Sequence, residues 1–220
     1  MIVSTKTSTS LEGEGGDGCL SKVLPGVEFS VSIRAGGEEP TVIHIVAIFD
    51  DRRPELIDEI ARVVCDERGK PRYDDPDNGA FTEDGFAKVL RGIGLNAVLI
   101  GHEKSAGQEA KRDVSSLDAD RANEVILTEF VDAVEIRNKR RELDIKRLIE
   151  TYPKDAVPFV VGSDCHDWAA YPGREGGEIL FSSLKCLPSF EGLLMAITDL
   201  SRIKVGTVRS SAPAPRSLIR

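Results

Sequence analysis

The length, composition and charge of the chain exclude several classes of protein. Its 220 residues, 40% hydrophobic and 30% charged, are typical of a globular protein with one sizeable core. A formal net charge of -8 argues against a nucleic-acid-binding surface, while leaving room for a local basic groove. With no apolar run that would span a bilayer, no signal-peptide core and four scattered cysteines, the sequence predicts a cytoplasmic protein with reduced thiols and no membrane contact.

The N-terminal part of the chain predicts a lead-in followed by a β-hairpin. Residues 1–21 are rich in Ser, Thr and Gly without a lasting period, which is typical of a loop. Residues 22–34 alternate apolar and polar side chains, and residues 41–49 are β-branched and mostly apolar. Because the turn-rich segment 35–40 separates them, the two runs predict a pair of antiparallel strands.

Two amphipathic helices are predicted next. Apolar residues recur at helical spacing over 52–65 and over 82–94. Pro54 suits the first turn of the first helix, Thr82 suits the N-cap of the second, and Gly94 suits its end.

The rest of the chain alternates short apolar strands with amphipathic helices. The predicted strands cover 95–100, 132–137, 156–161 and 177–185. The predicted helices cover 121–131, 139–152 and 189–200, and the last aligns Phe190, Leu193, Leu194 and Ile197. This alternation predicts an α/β fold with parallel strands covered on both faces, followed by a tail or linker over 206–220.

Metal-type ligands follow two of the predicted strands. His102 comes two residues after the strand that ends at Ile100, and Asp164 and His166 follow the strand that ends at Val161. Ligands gather at the C-terminal ends of parallel strands, so we expect both loops to open on the same end of the sheet.

The predicted hairpin adds two further donors. Glu28 and His44 fall within a few positions of each other across the ladder, a distance that a metal would bridge. Imidazole and carboxylate together suit Zn, Mn or Fe. Taken alone, His44 is more typical of a hydrogen-bonded core residue. His102 fits a simple loop residue as well as it fits a ligand, and the alternative for Asp164 is a helix cap. The Asp-x-His pair favours metal binding.

Other polar residues are candidates for binding a substrate or supporting the ligands. Lys104 and Arg174 would hold a phosphate, although each alone is more typical of a solvated surface charge. Glu135 and Asn138 end a predicted strand, where they would either orient a ligand or cap the following helix, and the pattern favours the cap.

Four segments in this order resemble the PHP (polymerase and histidinol phosphatase) superfamily: "LPGVEFSV", "VIHIVAIFD", "AVLIGHEKSAG" and "VGSDCHDW". The resemblance covers residues 22–205 and implies a distorted (βα)7 barrel whose C-terminal rim binds up to three Zn, Mn or Fe ions. It implies hydrolysis of a phosphate ester by metal-activated water. The implied substrate is a phosphorylated small molecule or a nucleic-acid end.

The resemblance also implies roles for individual residues. Glu28 corresponds to a bridging carboxylate, and it is an implied catalytic residue together with Asp164 and His166. The other implied metal ligands are His44, His102, Asp164 and His166. The family has a proline after the histidine that His102 resembles, and Glu103 stands in its place here.

The C-terminal end of the matching region resembles one branch of the family, whereas its N-terminal end lacks the motifs with which the family opens. "YPGREGG" and "LKCLPSFEGLLMAITDLSRI" are similar to a branch in which a PHP segment leads into an AAA-like or SMC-like ATPase, so an ATPase partner is implied. PHP proteins open with His-x-His and Asp-His, whereas no histidine precedes Glu28 in this chain. This difference implies an N-terminally truncated PHP domain that lacks roughly its first two βα units, whether as a truncated gene product, a mis-called start or a degenerate module. Its exposed sheet edges predict poor solubility or a homo-oligomer such as a dimer.

Three functional classes follow from these residues. The first is a PHP-type metal-dependent phosphoesterase, and the second is a non-catalytic PHP module that acts as an interaction or regulatory domain for an ATPase. The third is an unrelated α/β binding domain. A catalytic zinc needs about three protein ligands, so a single-metal site would survive the loss of the opening motif.

Overall fold

The computed structural model describes residues 22–34, 40–103, 112–126, 130–136, 142, 145, 157–162 and 180–207. The strands are β1 (Gly26–Ile33), β2 (Thr41–Phe49), β3 (Phe81–Thr82), β4 (Ala97–Glu103), β5 (Ala133–Ile136), β6 (Phe159–Val160), β7 (Leu180–Leu184) and β8 (Ile203–Thr207). The helices are α1 (Pro54–Val64), α2 (Glu83–Ile93), α3 (Ala119–Glu124) and α4 (Phe190–Thr198), with 3₁₀ turns at Val114–Ser116 and Leu200–Arg202.

The central sheet has the strand order β3-β1-β2-β4-β5-β6. β2 runs antiparallel to both of its neighbours, β1 and β4, while β3 is parallel to β1 and β4, β5 and β6 are parallel to one another. β7 and β8 form a separate antiparallel pair. The mixed α/β class and the mostly parallel sheet are therefore confirmed, as is the pairing of the first two strands.

Strand alternation gives the central sheet two different faces. Phe29 and Ile45 lie on the first, which packs against Ile60 of α1 and Phe86 of α2 in one buried cluster. We call this the α1–α2 face. Its aromatic centre is tight, because the Phe29 ring contacts the Phe86 ring with centroids 5.1 Å apart.

The opposite face, which we call the α4 face, is covered by a smaller cluster. Val98 and Ile100 of β4 pack there against Phe190, Leu193 and Ile197 of α4. Arg52 links this helix to the sheet, because its guanidinium contacts the Asp50 carboxylate after β2 and lies 2.7 Å from Glu191 Oε1. The apolar cluster covers one part of this face, and the rest carries polar side chains.

The ends of the two amphipathic helices follow their local sequence. Thr82 is the N-cap of α2, and its hydroxyl accepts a hydrogen bond from the backbone N–H of Gly85 at 3.0 Å. Gly94 ends α2 with a left-handed φ of 70°, which glycine adopts without a steric penalty. Pro54 stands in the first turn of α1, where its missing N–H is not needed. All three predictions are confirmed.

The described structure departs from the sequence prediction in several places. β4 continues to Glu103 because Gly101, His102 and Glu103 pair with β5, so His102 belongs to a strand and not to a loop. Two strands, β3 and β8, were not predicted. Leu194 is 43% exposed and does not join the buried line of Phe190, Leu193 and Ile197 on α4.

Some predicted elements lie outside the described residues. These are the lead-in 1–21, the turn 35–39, nearly all of the helix 139–152, and the tail from residue 208 onward. Within the described part of the chain, none of the helices combines the length and the apolar content needed to cross a membrane.

Candidate metal centre

Three side chains from neighbouring strands meet on the α4 face. Glu28 lies on β1, His44 on β2 and His102 on β4. β1 and β2 pair Ser30 with His44, and β2 and β4 pair Ile45 with Gly101, so the next pair along that ladder is His44 with His102. Because side chains alternate along a strand, all three point to the same side of the sheet. The two imidazole rings meet edge to face, with centroids 5.6 Å apart.

The donor atoms of these three residues are spaced for one cation. One ligand atom of each lies within 4.8 Å of the others. A cation bound at about 2.0–2.2 Å by imidazole and carboxylate would hold its donors about 3–4 Å apart. Small side-chain rotations would bring the three donor atoms to that spacing. The residues present therefore fit a divalent metal of the kind that the donor chemistry predicts.

His44 contacts both a carboxylate and a guanidinium. Its Nδ1 lies 3.0 Å from Glu28 Oε1, and its Nε2 lies 3.3 Å from a terminal nitrogen of Arg112. An arginine N–H only donates, so this contact is a hydrogen bond in the tautomer whose Nε2 is the acceptor and whose ring proton is on Nδ1, beside Glu28. His44 is not an isolated core histidine: its side chain is 20% exposed and faces a polar cluster.

His102 is the buried member of the group. It is 3% exposed, and its Nε2 lies 3.3 Å from Glu135 Oε2 on β5. Glu135 is itself 6% exposed, and β4 and β5 pair it directly with His102. A carboxylate behind a ligating histidine fixes the ring orientation and raises its basicity. The carboxylate of Glu135 thus faces His102. Of the two roles considered for Glu135, this contact favours orienting a ligand over capping a helix.

Gly162 follows β6 and leaves space for that carboxylate. A Cβ built on Gly162 would lie 1.9 Å from Glu135 Oε1, which is a severe overlap. A side chain at position 162 would therefore displace Glu135 from its place beside His102.

The structure brings together three of the residues predicted from the sequence and describes no geometry for the others. Glu28, His44 and His102 meet as described above. The predicted residues Asp164, His166, Lys104 and Arg174, together with Asn138, lie outside the described residues. Arg112 was not predicted, and nothing in its local sequence distinguishes it from other charged residues. Glu135 is a candidate in the sequence because it is a single carboxylate in the apolar strand "AVEI".

Comparisons of the chain with protein-family models, with curated proteins and with solved structures gave no match. The interpretation of this centre therefore depends on its geometry and on the sequence motifs.

Proposed function

We propose that this chain is a PHP-type metal-dependent phosphoesterase that hydrolyses a phosphate ester. The observation that carries the proposal is the group of Glu28, His44 and His102, whose donor atoms lie within 4.8 Å of one another on one face of the sheet. Three residues far apart in sequence converge there from three adjacent strands. Two imidazoles and a carboxylate are a donor set that Zn, Mn and Fe share.

Each residue of the centre has a distinct task in this proposal. His44 and His102 supply neutral imidazole nitrogens, and Glu28 supplies the negative charge that offsets part of the charge of the cation. Glu28 is 44% exposed on its side chain, so the centre is open to solvent and to a substrate at this point. Glu135 holds His102 from behind. When bound, divalent metals polarise phosphoryl oxygens and activate water near neutral pH.

The resemblance to the PHP superfamily extends the proposal beyond the described residues. Asp164 and His166 follow Gly162 by two and four residues in the sequence, and Gly162 lies against the carboxylate of Glu135. We propose them as further metal ligands, with catalytic roles for Glu28, Asp164 and His166, in a (βα)7-type barrel. The proposed substrates are a phosphorylated small molecule or a nucleic-acid end in the cytoplasm.

Metal titration of the full 220-residue chain tests the proposal. Calorimetry of metal-free protein with Mn²⁺ or Zn²⁺ should show saturable binding, and Glu28→Gln and His102→Ala should each weaken it about tenfold to a hundredfold or more. Glu28 is partly exposed, so the Gln variant should keep the fold even if His102→Ala does not. Glu59→Gln, a carboxylate change on α1 behind the opposite face, is the matched control and should bind as wild type does.

Two results would contradict the proposal at different levels. If wild type and Glu28→Gln take up equally little metal, the metal centre is wrong. If metal binds as expected but the loaded protein does not hydrolyse p-nitrophenyl phosphate or a 5′-phosphorylated oligonucleotide, the phosphoesterase activity is wrong.

A non-catalytic PHP module for an ATPase partner is the second candidate. The segment that favours it is "LKCLPSFEGLLMAITDLSRI", which resembles the branch in which the PHP part leads into an ATPase. Binding of one metal without turnover is the result that this alternative predicts.

A further inference from the structure

Arg112 brings a positive charge to the edge of the metal centre. Its terminal nitrogen lies 3.3 Å from His44 Nε2, across 68 residues of sequence. The guanidinium has five N–H donors, and a single contact with an imidazole uses one of them. Among the residues that the structure describes, no carboxylate lies within ion-pair distance of this guanidinium, although arginines usually pair with one.

The backbone that carries Arg112 is anchored to the strand that carries His102. Glu103, which follows His102 and is fully buried, accepts hydrogen bonds from the backbone N–H of Ser115 at 2.9 Å and from its hydroxyl at 2.8 Å. Val114 is also fully buried and packs against Gly101, where an added Cβ would lie 2.9 Å from its Cγ2. The backbone two and three residues after Arg112 is therefore held against β4 by buried contacts.

The side chain of Arg112, unlike its anchor, is exposed to solvent. A ligand that enters from solvent can reach the guanidinium and the partly exposed Glu28 and His44 from the same side. A cation taken up at His44 Nε2 would use the lone pair that now accepts from Arg112, since a neutral imidazole has one. Metal uptake at that atom would thus release an N–H donor beside the centre.

We propose that Arg112 is the anion-binding residue of this centre and contacts the phosphate oxygens of the substrate. The proposal builds on the proposed metal-dependent function and names the group that recognises the anion. The planar guanidinium matches a phosphate through two parallel N–H···O contacts, which an ammonium group does not reproduce. The ligand class is a phosphate monoester or inorganic phosphate.

The test measures binding of inorganic phosphate to the Mn²⁺-loaded chain. Arg112→Ala should raise the Kd for phosphate about tenfold or more, because a charge-assisted contact is lost, and Arg112→Lys should recover only part of the affinity. Arg91→Ala is the matched control, since Arg91 is an exposed arginine on α2, behind the opposite face of the sheet. It should leave phosphate binding unchanged.

Metal affinity, measured on the same variants, separates this inference from the function on which it builds. Arg112→Ala should bind Mn²⁺ at least as tightly as wild type, because the competing contact at His44 is removed. Equal phosphate affinity in wild type and Arg112→Ala, with Mn²⁺ bound to both, would overturn the role of Arg112 alone. Failure of wild type to bind Mn²⁺ would overturn the metal centre itself. A parallel loss of Mn²⁺ and phosphate binding in Arg112→Ala would mean that the residue is structural, which also contradicts the inference.

Discussion

The two faces of the central sheet share one backbone and differ in what their side chains do. Phe29 and Glu28 are neighbours on β1, yet Phe29 is 2% exposed among aromatic rings while the side chain of Glu28 is 44% exposed beside His44. On the α1–α2 face, β1 and β2 contribute apolar, buried side chains: Val27, Phe29, Val31 and Ile33 from β1, and Ile43, Ile45, Ala47 and Phe49 from β2. On the α4 face an apolar cluster under the helix gives way to histidines and carboxylates. The α1–α2 face therefore stabilises the fold by apolar burial, whereas the α4 face carries the polar side chains of the candidate metal centre.

The largest expected effect comes from the apolar face. Phe29→Ala should lower the free energy of unfolding by about 3–5 kcal/mol, because a buried ring that contacts Phe81 and Phe86 is replaced by a cavity. Urea unfolding followed by circular dichroism measures this. The neighbouring change Glu28→Gln should alter stability of the metal-free chain by roughly 0.5 kcal/mol or less, as is usual for exposed positions. A similar loss of unfolding free energy in both variants would show that the two faces do not differ in their contribution to stability.

An intermediate effect is expected from the carboxylate behind His102. Glu135→Gln should weaken metal binding about tenfold to a hundredfold, since the ring would lose the partner that fixes its orientation. Gly162→Ala should have the same sign, because its methyl group would overlap the Glu135 carboxylate. Mn²⁺ titration provides the measurement, with Glu59→Gln as control. Unchanged affinity in both variants would argue that Glu135 is only a structural partner of His102.

The smallest expected effect concerns the link between the sheet and α4. The hydrogen bonds from Arg52 lower the pKa of Asp50 below its ordinary value of 3.8, against the opposing effect of burial. This ionised carboxylate therefore stabilises the fold above about pH 4, and its contribution is lost as the pH falls below 3.8 toward the lowered pKa. Arg52→Ala should remove part of this dependence.

Urea unfolding at pH 7 and at pH 3 measures the difference. Wild type should lose more stability between the two values than Arg52→Ala does, whereas Arg91→Ala should behave as wild type. If wild type and Arg52→Ala lose the same amount, the Asp50–Arg52 pair does not contribute to the pH dependence.

The sequence predicted those elements that are determined by residues close together in the chain. The alternation in β1, the helical spacing in α2, and the caps Thr82 and Gly94 can be read from neighbouring residues. β3 and β8 were not predicted because they are short or mixed in polarity. They form strands because they pair with strands that are distant in sequence. Their partners lie about 50 and 20 residues away in sequence, beyond the reach of a periodic pattern.

The candidate site was predictable only in part, for a related reason. Histidine is scarce in this chain, so His44 and His102 were conspicuous. Arg112 is one of 29 lysines and arginines, and only its contact with His44 distinguishes it. The sequence favours a helix cap for Glu135, because the pairing of β4 with β5 that places Glu135 opposite His102 depends on the whole sheet.

The alternation of β2 side chains between the two faces has a consequence for how the candidate metal centre tolerates insertions and deletions. Ile43 and Ile45, on either side of His44, are both completely buried on the α1–α2 face. A one-residue insertion or deletion within β2 would turn the imidazole into the hydrocarbon interior and bring an isoleucine to the candidate metal centre. Such a shift in register would destabilise the fold, so the packing of β2 preserves the arrangement of Glu28, His44 and His102 against insertions and deletions that surface loops tolerate.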